Sequence, residues 1–482
     1  MNSRFVILFG FVYSLFSNFP IEIIFSFLSI ALFLSFAKKR NIPFSIQFYF
    51  GLFFIQIVMT LIFLDLTKDE LVLRKFNFEV IKELELISII HLLIAIISFY
   101  LVFRNRTKIN RESILSDIFK IKFRNLLIFY FVMSFIFPIL SLLSVENSSL
   151  QQFFMALASL KDLALILFVF HLLVLKSNRL IIFGILFFEF LLGFISYFSS
   201  FKNIIIYFII VSLTTTISKG LSFKSLRLIV PLFFFAIYTM TFWSYVKGDY
   251  RALLRDGENG QSVNVENAVA ANYIIDQFSH FGIEEFNLGV INFFGRAQYL
   301  EEYHTVVQNV PSILPHENGR IILDALEFIT TPRFLNPNKK ILDPSLKTAK
   351  YTGREVATAE MGTSISLGFF ADFYIEFGFA GMIIPLIFLF MALGLFCKRI
   401  FTNKNYNPIF NISMLIAIVT NIGTFESDLT YFLGILRNYV VVYFVCDIFI
   451  FKFLNTYLTG HVEKRSNKEN AKLLHLNLAS QK

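Results

Sequence analysis

TTPRFLNPNKKILDPSLKTAKYTGR, Thr330 to Arg354, sets Arg333, Lys339, Lys340, Lys347, Lys350 and Arg354 against a single acid, Asp343. A segment this polar has no place in hydrocarbon. It belongs to an island of roughly 120 residues, Lys247 to Ser364, in a chain otherwise made of apolar runs of bilayer length. The island divides the chain into two apolar blocks and thereby decides the fold class: an all-α polytopic membrane protein with one large loop of short helices.

Composition agrees. With 56% hydrophobic, 18% aromatic and only 16% charged residues, the chain is far more apolar than a soluble domain of 482 residues. The formal charge of +9 does not point to nucleic acid, because the Lys and Arg residues fall in short clusters between apolar runs, as orientation signals do. Cys397 and Cys446 lie at or within apolar runs, so neither a disulfide framework nor a cysteine metal site is expected. The first run, Phe5 to Ser17, has no small-residue cleavage site and reads as a retained helix.

Apolar runs fall at Arg4–Ser17, Ile21–Phe36, Phe44–Leu64, Glu85–Phe103, Asn125–Ser144, Gln152–Leu175, Leu180–Tyr197, Asn203–Ile217, Leu228–Val246, Glu376–Phe396, Ile409–Phe425 and Tyr431–Phe451. Read as spans they number about twelve. The expected organisation is an N-terminal membrane bundle over 1–246, the loop over 247–364, a C-terminal bundle over 365–454 and a tail over 455–482. The basic clusters Ala37–Arg40, Arg104–Arg124, Lys176–Arg179, Ser218–Arg227, Lys398–Lys404 and the tail from His461 all fall on one side of this map. The positive-inside rule makes that side the cytoplasm, with both termini in and the island out.

Within the island, an amphipathic helix is expected after an Asn264 cap, a second over Arg296–Val310 ended by Pro311, and a third over Arg320–Ile329 ended by Pro332. The remainder reads as ordered loop, because Phe334, Leu335, Ile341, Leu342 and Tyr351 are interleaved with its polar residues.

Candidate functional residues are the outward charges. Lys202, where a turn enters the eighth run, joins an ammonium to free helix N–H groups and could hold a phosphate, or else is a lysine snorkelling at the interface. In Pro332–Lys340 the prolines present Arg333, Lys339 and Lys340 with limited entropy loss; a merely solvated loop face is the alternative. Asp372 and Glu376, four apart, share a helical face. Either could take a proton from a hydroxyl, and either could instead neutralise Arg333 or Arg354. Arg251 and Arg255 could extend the basic surface. His280, His304 and His316 lack metal-ligand spacing. His91, Lys161, Asp162, His171 and Glu189 fall inside runs, and Lys161 and Asp162 could line a transport path. No Walker, GxGxxG or GxSxG motif occurs.

The SSFKN turn at Ser199–Asn203, Pro332–Lys340 and TSISLGFFADFYIEFGFAG at Thr363–Gly381 together resemble the Wzy-type O-antigen and exopolysaccharide repeat-unit polymerases. Lys202 stands where many such proteins carry arginine. The resemblance implies a GT-C-like fold and transfer of a growing glycan from undecaprenyl diphosphate to a hydroxyl of an incoming lipid-linked unit. It implies no metal, no cofactor, no nucleotide sugar and no ATP, location in the bacterial cytoplasmic membrane, and a possible chain-length regulator as partner. Arg333, Lys202, Asp372 and Glu376 would be catalytic, and Arg251, Arg255, Lys339, Lys340 and Arg354 would bind the diphosphate. An O-antigen ligase, a flippase or transporter, and a structural partner of an assembly machine are the competing readings.

Overall fold

The structure, a computed structural model, describes residues 3–67, 73, 76–103, 116–146, 151–175, 177–195, 201–217, 223–257, 264–331, 343–358, 364–423 and 425–460. Each of the twelve apolar runs is helical: α1 Ser3–Ser14, α2 Pro20–Lys39, α3 Phe44–Leu66, α4 Phe78–Val102, α5 Phe123–Glu146, α6 Gln151–Phe170 with a π-turn to Leu175, α7 Arg179–Ile195, α8 Phe201–Ile217 and α9 Phe223–Arg255 precede the island, and α16 Ile383–Phe401, α17 Pro408–Asn421 and α18 Leu429–Phe449 follow it. Hydrocarbon gives backbone N–H and C=O groups no partner, so the runs must satisfy themselves internally. Among the described residues there is no strand.

Five of these helices, α2, α3, α4, α16 and α18, are long and apolar enough to cross a membrane, and α1, α8, α17 and the first half of α5 are shorter apolar helices. The protein is an all-helical membrane protein. Exposed side chains on α1, α2, α5 and α7, among them Phe9, Leu32, Phe135 and Leu180, face outward and suit a lipid surround.

The island is more helical than expected. Helix α10, Asn267–Ser279, starts one turn after Asn264, and Glu266 occupies its N-cap position. The helix expected over Arg296–Val310 is found as α12, Leu300–Asn309, and a further helix that was not expected, α11 Ile283–Ala297, precedes it across Gln298 and Tyr299. Gln298 makes the break: its side chain accepts from Glu301 N at 3.1 Å and thereby caps the second helix. Helix α13, Arg320–Thr330, lies where expected. The supposed loop contains α14, Pro344–Thr352, which begins with proline and is capped by Asp343, whose Oδ1 accepts from Ser345 N at 2.9 Å.

The tenth run is not continuous. Helix α15, Phe369–Gly381, ends in a break at Gly378 (φ 66°) before α16 begins, a conformation only glycine adopts without penalty. At the other boundary α9 carries its helix through Val246 to Arg255.

Two cores hold these elements. The larger joins α2–α6 to α12–α18, with α16 against α4. The smaller gathers Phe194, Phe201, Trp243, Val246 and Tyr250 where α7, α8 and α9 meet. There the Phe194 and Phe201 rings stack with centroids 3.9 Å apart, and Trp243 meets Phe201 edge-on at 5.5 Å.

Candidate functional site

The smaller core fixes the start of α8 against the end of the apolar part of α9, so Lys202 and Lys247 are held on neighbouring helices. Helix α11 packs on α9 through Gly289, where a Cβ would stand 2.6 Å from the Thr241 carbonyl oxygen. That contact admits no larger residue and brings the α11 terminus, with Arg296, to the same place. The result is a group of four cations, Lys202, Lys247, Arg251 and Arg296, close enough for Arg251 and Arg296 to act on both lysines.

Among the described residues one carboxylate faces them. Glu426 stands in the connection between α17 and α18 and is under the influence of Arg296, Lys202 and Lys247. Its Oε1 accepts from Gln56 Nε2 of α3 at 3.0 Å. The connection is pinned by its neighbour Phe425, fully buried among Phe53, Tyr299, Phe369 and Phe370, with ring centroids 5.2 Å from Phe53 and 4.2 Å from Phe370. The Glu426 side chain itself is exposed, although protein lies on most sides of it. The group grades from exposed Glu426 and Arg296 through half-buried Lys202 and Arg251 to buried Lys247, and so forms a recess that opens to the surface.

Among the described residues Glu426 is the one carboxylate that acts on Lys202 and Lys247. Lys202, Lys247 and Arg296 make no hydrogen bond and no ion pair within 4 Å among the described residues. Cations packed this closely with so little compensation repel one another, and a polyanion in the cleft would relieve the repulsion. Burial pushes the Glu426 carboxyl above its ordinary value, against the opposing pull of Arg296, the Gln56 hydrogen bond, Lys202 and Lys247.

The other residues singled out in the sequence are placed elsewhere. Asp372 is fully buried; Lys347 Nζ lies 2.8 Å from both its oxygens and 3.9 Å from Asp428 Oδ2, and Leu429 N donates to its Oδ2 at 2.8 Å. Burial opposes the Lys347 charge, but the two carboxylates outweigh it and its pKa is raised. Glu376 accepts from Gly319 N and from Ile322 N (3.0 Å), so it caps the first turn of α13. The shared helical face exists, but among the described residues its carboxylates serve as internal anchors whose partners are Lys347, the Leu429 amide and a helix terminus, and not Arg354.

Arg354 pairs with Glu301 at 3.4 Å and Glu302 at 3.9 Å. Arg255 turns back to donate to the Arg251 carbonyl at 3.3 Å. Arg333, Lys339 and Lys340 lie outside the described residues. The histidines do structural work: His304 Nε2 accepts from Asn77 N at 3.0 Å, and His316 bonds the Ile375 carbonyl at 3.1 Å.

Lys161 and Asp162 diverge although adjacent. Lys161 Nζ lies 2.7 Å from Glu189 Oε1, which also accepts from the Tyr130 hydroxyl at 2.6 Å, on the wall of a cavity of ≈ 620 Å³ between α5 and α7. Asp162 points elsewhere and accepts from Asn421 at 3.2 Å.

Sequence reasoning found Lys202 and Arg251 and missed Lys247, Arg296 and Glu426. The available signals were a lysine abutting the end of an apolar run and two acids, Glu426 and Asp428, between the last two runs.

The fold and the cleft define an all-helical membrane protein with a cation-lined recess at the junction of its apolar helices and its island. A family model described as "Domain of unknown function (DUF8712)" matches residues 94–406, and the chain belongs to that family. No curated protein and no solved structure matches it.

Proposed function

We propose that the protein is a polymerase of lipid-linked oligosaccharide repeat units. It transfers the growing glycan from undecaprenyl diphosphate to a hydroxyl of the incoming unit on the outer side of the bacterial cytoplasmic membrane. On this reading the twelve apolar helices are all spans of a GT-C-like bundle, both termini are cytoplasmic, and the island faces out.

The observation that carries the reading is the gathering of Lys202, Lys247, Arg251 and Arg296 in one recess with Glu426, where Lys202, Lys247 and Arg296 have no ion-pair partner among the described residues. A diphosphate is the leaving group of such a transfer, and negative charge grows on it as the glycosidic bond breaks. Ammonium and guanidinium groups already held in place stabilise that charge with no reorganisation at the moment of reaction. Removing one such donor costs about 3–4 kcal/mol of barrier. Arg333, Lys339 and Lys340 are proposed to reach the same diphosphate from the island.

Deletion of the gene, followed by a blot of surface polysaccharide, tests the proposal. Collapse of the ladder of repeat lengths to single-repeat material is expected, and a surviving ladder refutes it. An O-antigen ligase would use the same recess, but its loss leaves long polymer on the lipid carrier, which the same blot distinguishes. Lys247→Met and Arg296→Gln should each abolish the ladder at unchanged protein level.

A further inference from the structure

We propose that Glu426 is the group that takes the proton from the attacking hydroxyl, a role that rests on the polymerase reading. Of the three described carboxylates weighed as a base, Glu426, Asp372 and Glu376, it alone combines an anchored oxygen with an exposed one left for substrate. Oε1 is held by Gln56 at 3.0 Å, whereas Oε2 accepts no hydrogen bond among the described residues and the side chain is exposed to the cleft. Both Asp372 oxygens lie against Lys347, and both Glu376 oxygens accept from the α13 backbone. Gln56 adds a second acceptor: its Oε1 is buried without a partner. Cations suit the diphosphate; two acceptors beside them suit the hydroxyls of a sugar.

Among the described residues the charged and polar groups facing Glu426 are Lys202 from α8, Lys247 from α9, Arg296 from α11, Gln56 from α3 and the Tyr299 hydroxyl between α11 and α12. In the step proposed, the acceptor hydroxyl oxygen forms a bond to the anomeric carbon of the donor glycan. The bond from that carbon to the diphosphate oxygen breaks, and its electron pair stays on the diphosphate. The hydroxyl proton passes to Glu426 Oε2 and then to water, so the products are the lengthened lipid-linked glycan and free undecaprenyl diphosphate. Burial raises the carboxyl above its ordinary range, which strengthens it as a base.

The test uses the full-length protein in detergent, with lipid-linked repeat units extracted from the deletion strain as substrate and inorganic pyrophosphate as a probe of the cations. Glu426→Gln should lower kcat by about 10²–10⁴-fold, the usual contribution of general base catalysis. It should leave the KM for the lipid-linked unit unchanged, keep or tighten the affinity for pyrophosphate because a negative charge beside the cations is gone, and remove the acid limb of the rate–pH profile; Glu426→Asp should recover part of the rate. Retained pyrophosphate binding shows that the variant is folded. A Glu426→Gln enzyme at full rate, or one whose loss is matched by weakened pyrophosphate binding, overturns the assignment. If the wild-type protein forms no polymer from these units, the polymerase reading fails; if wild type and variant polymerise equally, only the role of Glu426 fails.

Discussion

Replacing Lys347 by methionine would remove one ammonium while keeping most of the stem. The gross attraction across 2.8 Å to Asp372 is about 6 kcal/mol at an effective dielectric constant of about 20. Most of that is offset by the several kcal/mol needed to desolvate each ion. The variant inherits that desolvation with no compensation. Asp372, fully buried, keeps only the Leu429 amide and faces the Asp428 carboxylate. Breaking a buried pair by removing one partner costs about 3–5 kcal/mol. Thermal unfolding in detergent, followed by circular dichroism, should therefore show Lys347→Met melting several degrees below wild type. Lys347→Met/Asp372→Asn should recover much of the loss, because Asn still accepts from Leu429 N and carries no charge. An unchanged melting temperature for the single variant, or a double variant no better than the single, would refute the account of Lys347 and Asp372 as a mutually dependent internal pair.

Glu376→Ala should destabilise the protein by about 1–2 kcal/mol, the range for losing a helix cap, read as a lower melting temperature and faster hydrogen exchange at the start of α13. Gly368→Ala should fail to accumulate as folded protein on expression, since Gly368 has φ 79° and a Cβ there would meet the Phe425 carbonyl oxygen and the Tyr299 hydroxyl, each at 2.2 Å. Glu317 has its carboxyl held below the usual value of 4.5 by hydrogen bonds from Lys350 and Tyr351. A folded pKa below the unfolded one adds stability that is complete above the unfolded value and lost as pH falls through the folded one, so melting temperature should drop below pH 4.5 and Lys350→Met should flatten that slope.

The apolar runs were legible because hydrocarbon tolerates so little else: run length and the absence of charge located all twelve helices, with boundaries mostly within a turn. The break at Gly378 was not, since apolar residues lie on both sides of it and the bend is set by one glycine's backbone. Inside the island the Arg320 helix could be read from its flanking Gly319 and Pro332, while the break at Gln298 depends on a side chain curling back onto Glu301. The cation recess was half legible. Lys202 and Arg251 attract attention singly, but Lys247, Arg296 and Glu426 come together only through tertiary packing, with Gly289 admitting α11 to α9 and Phe425 pinning the last connection. The dense cations of Pro332–Lys340 drew notice by local count, a property of sequence, whereas the excess over α8, α9 and α11 is a property of assembly. Asp372 and Glu376 show the converse, since their spacing was read correctly and their chemistry was set by partners distant in the chain.

Helix α9 is one rod of 33 residues, about 50 Å long, with Lys247 and Arg251 one turn apart beyond its apolar stretch. The two charges are thus coupled in azimuth to the aromatic residues that seat the rod among its neighbours. A single residue inserted after Val246 would swing both by about 100° and lift them 1.5 Å, turning them away from Glu426 without altering any residue of the recess.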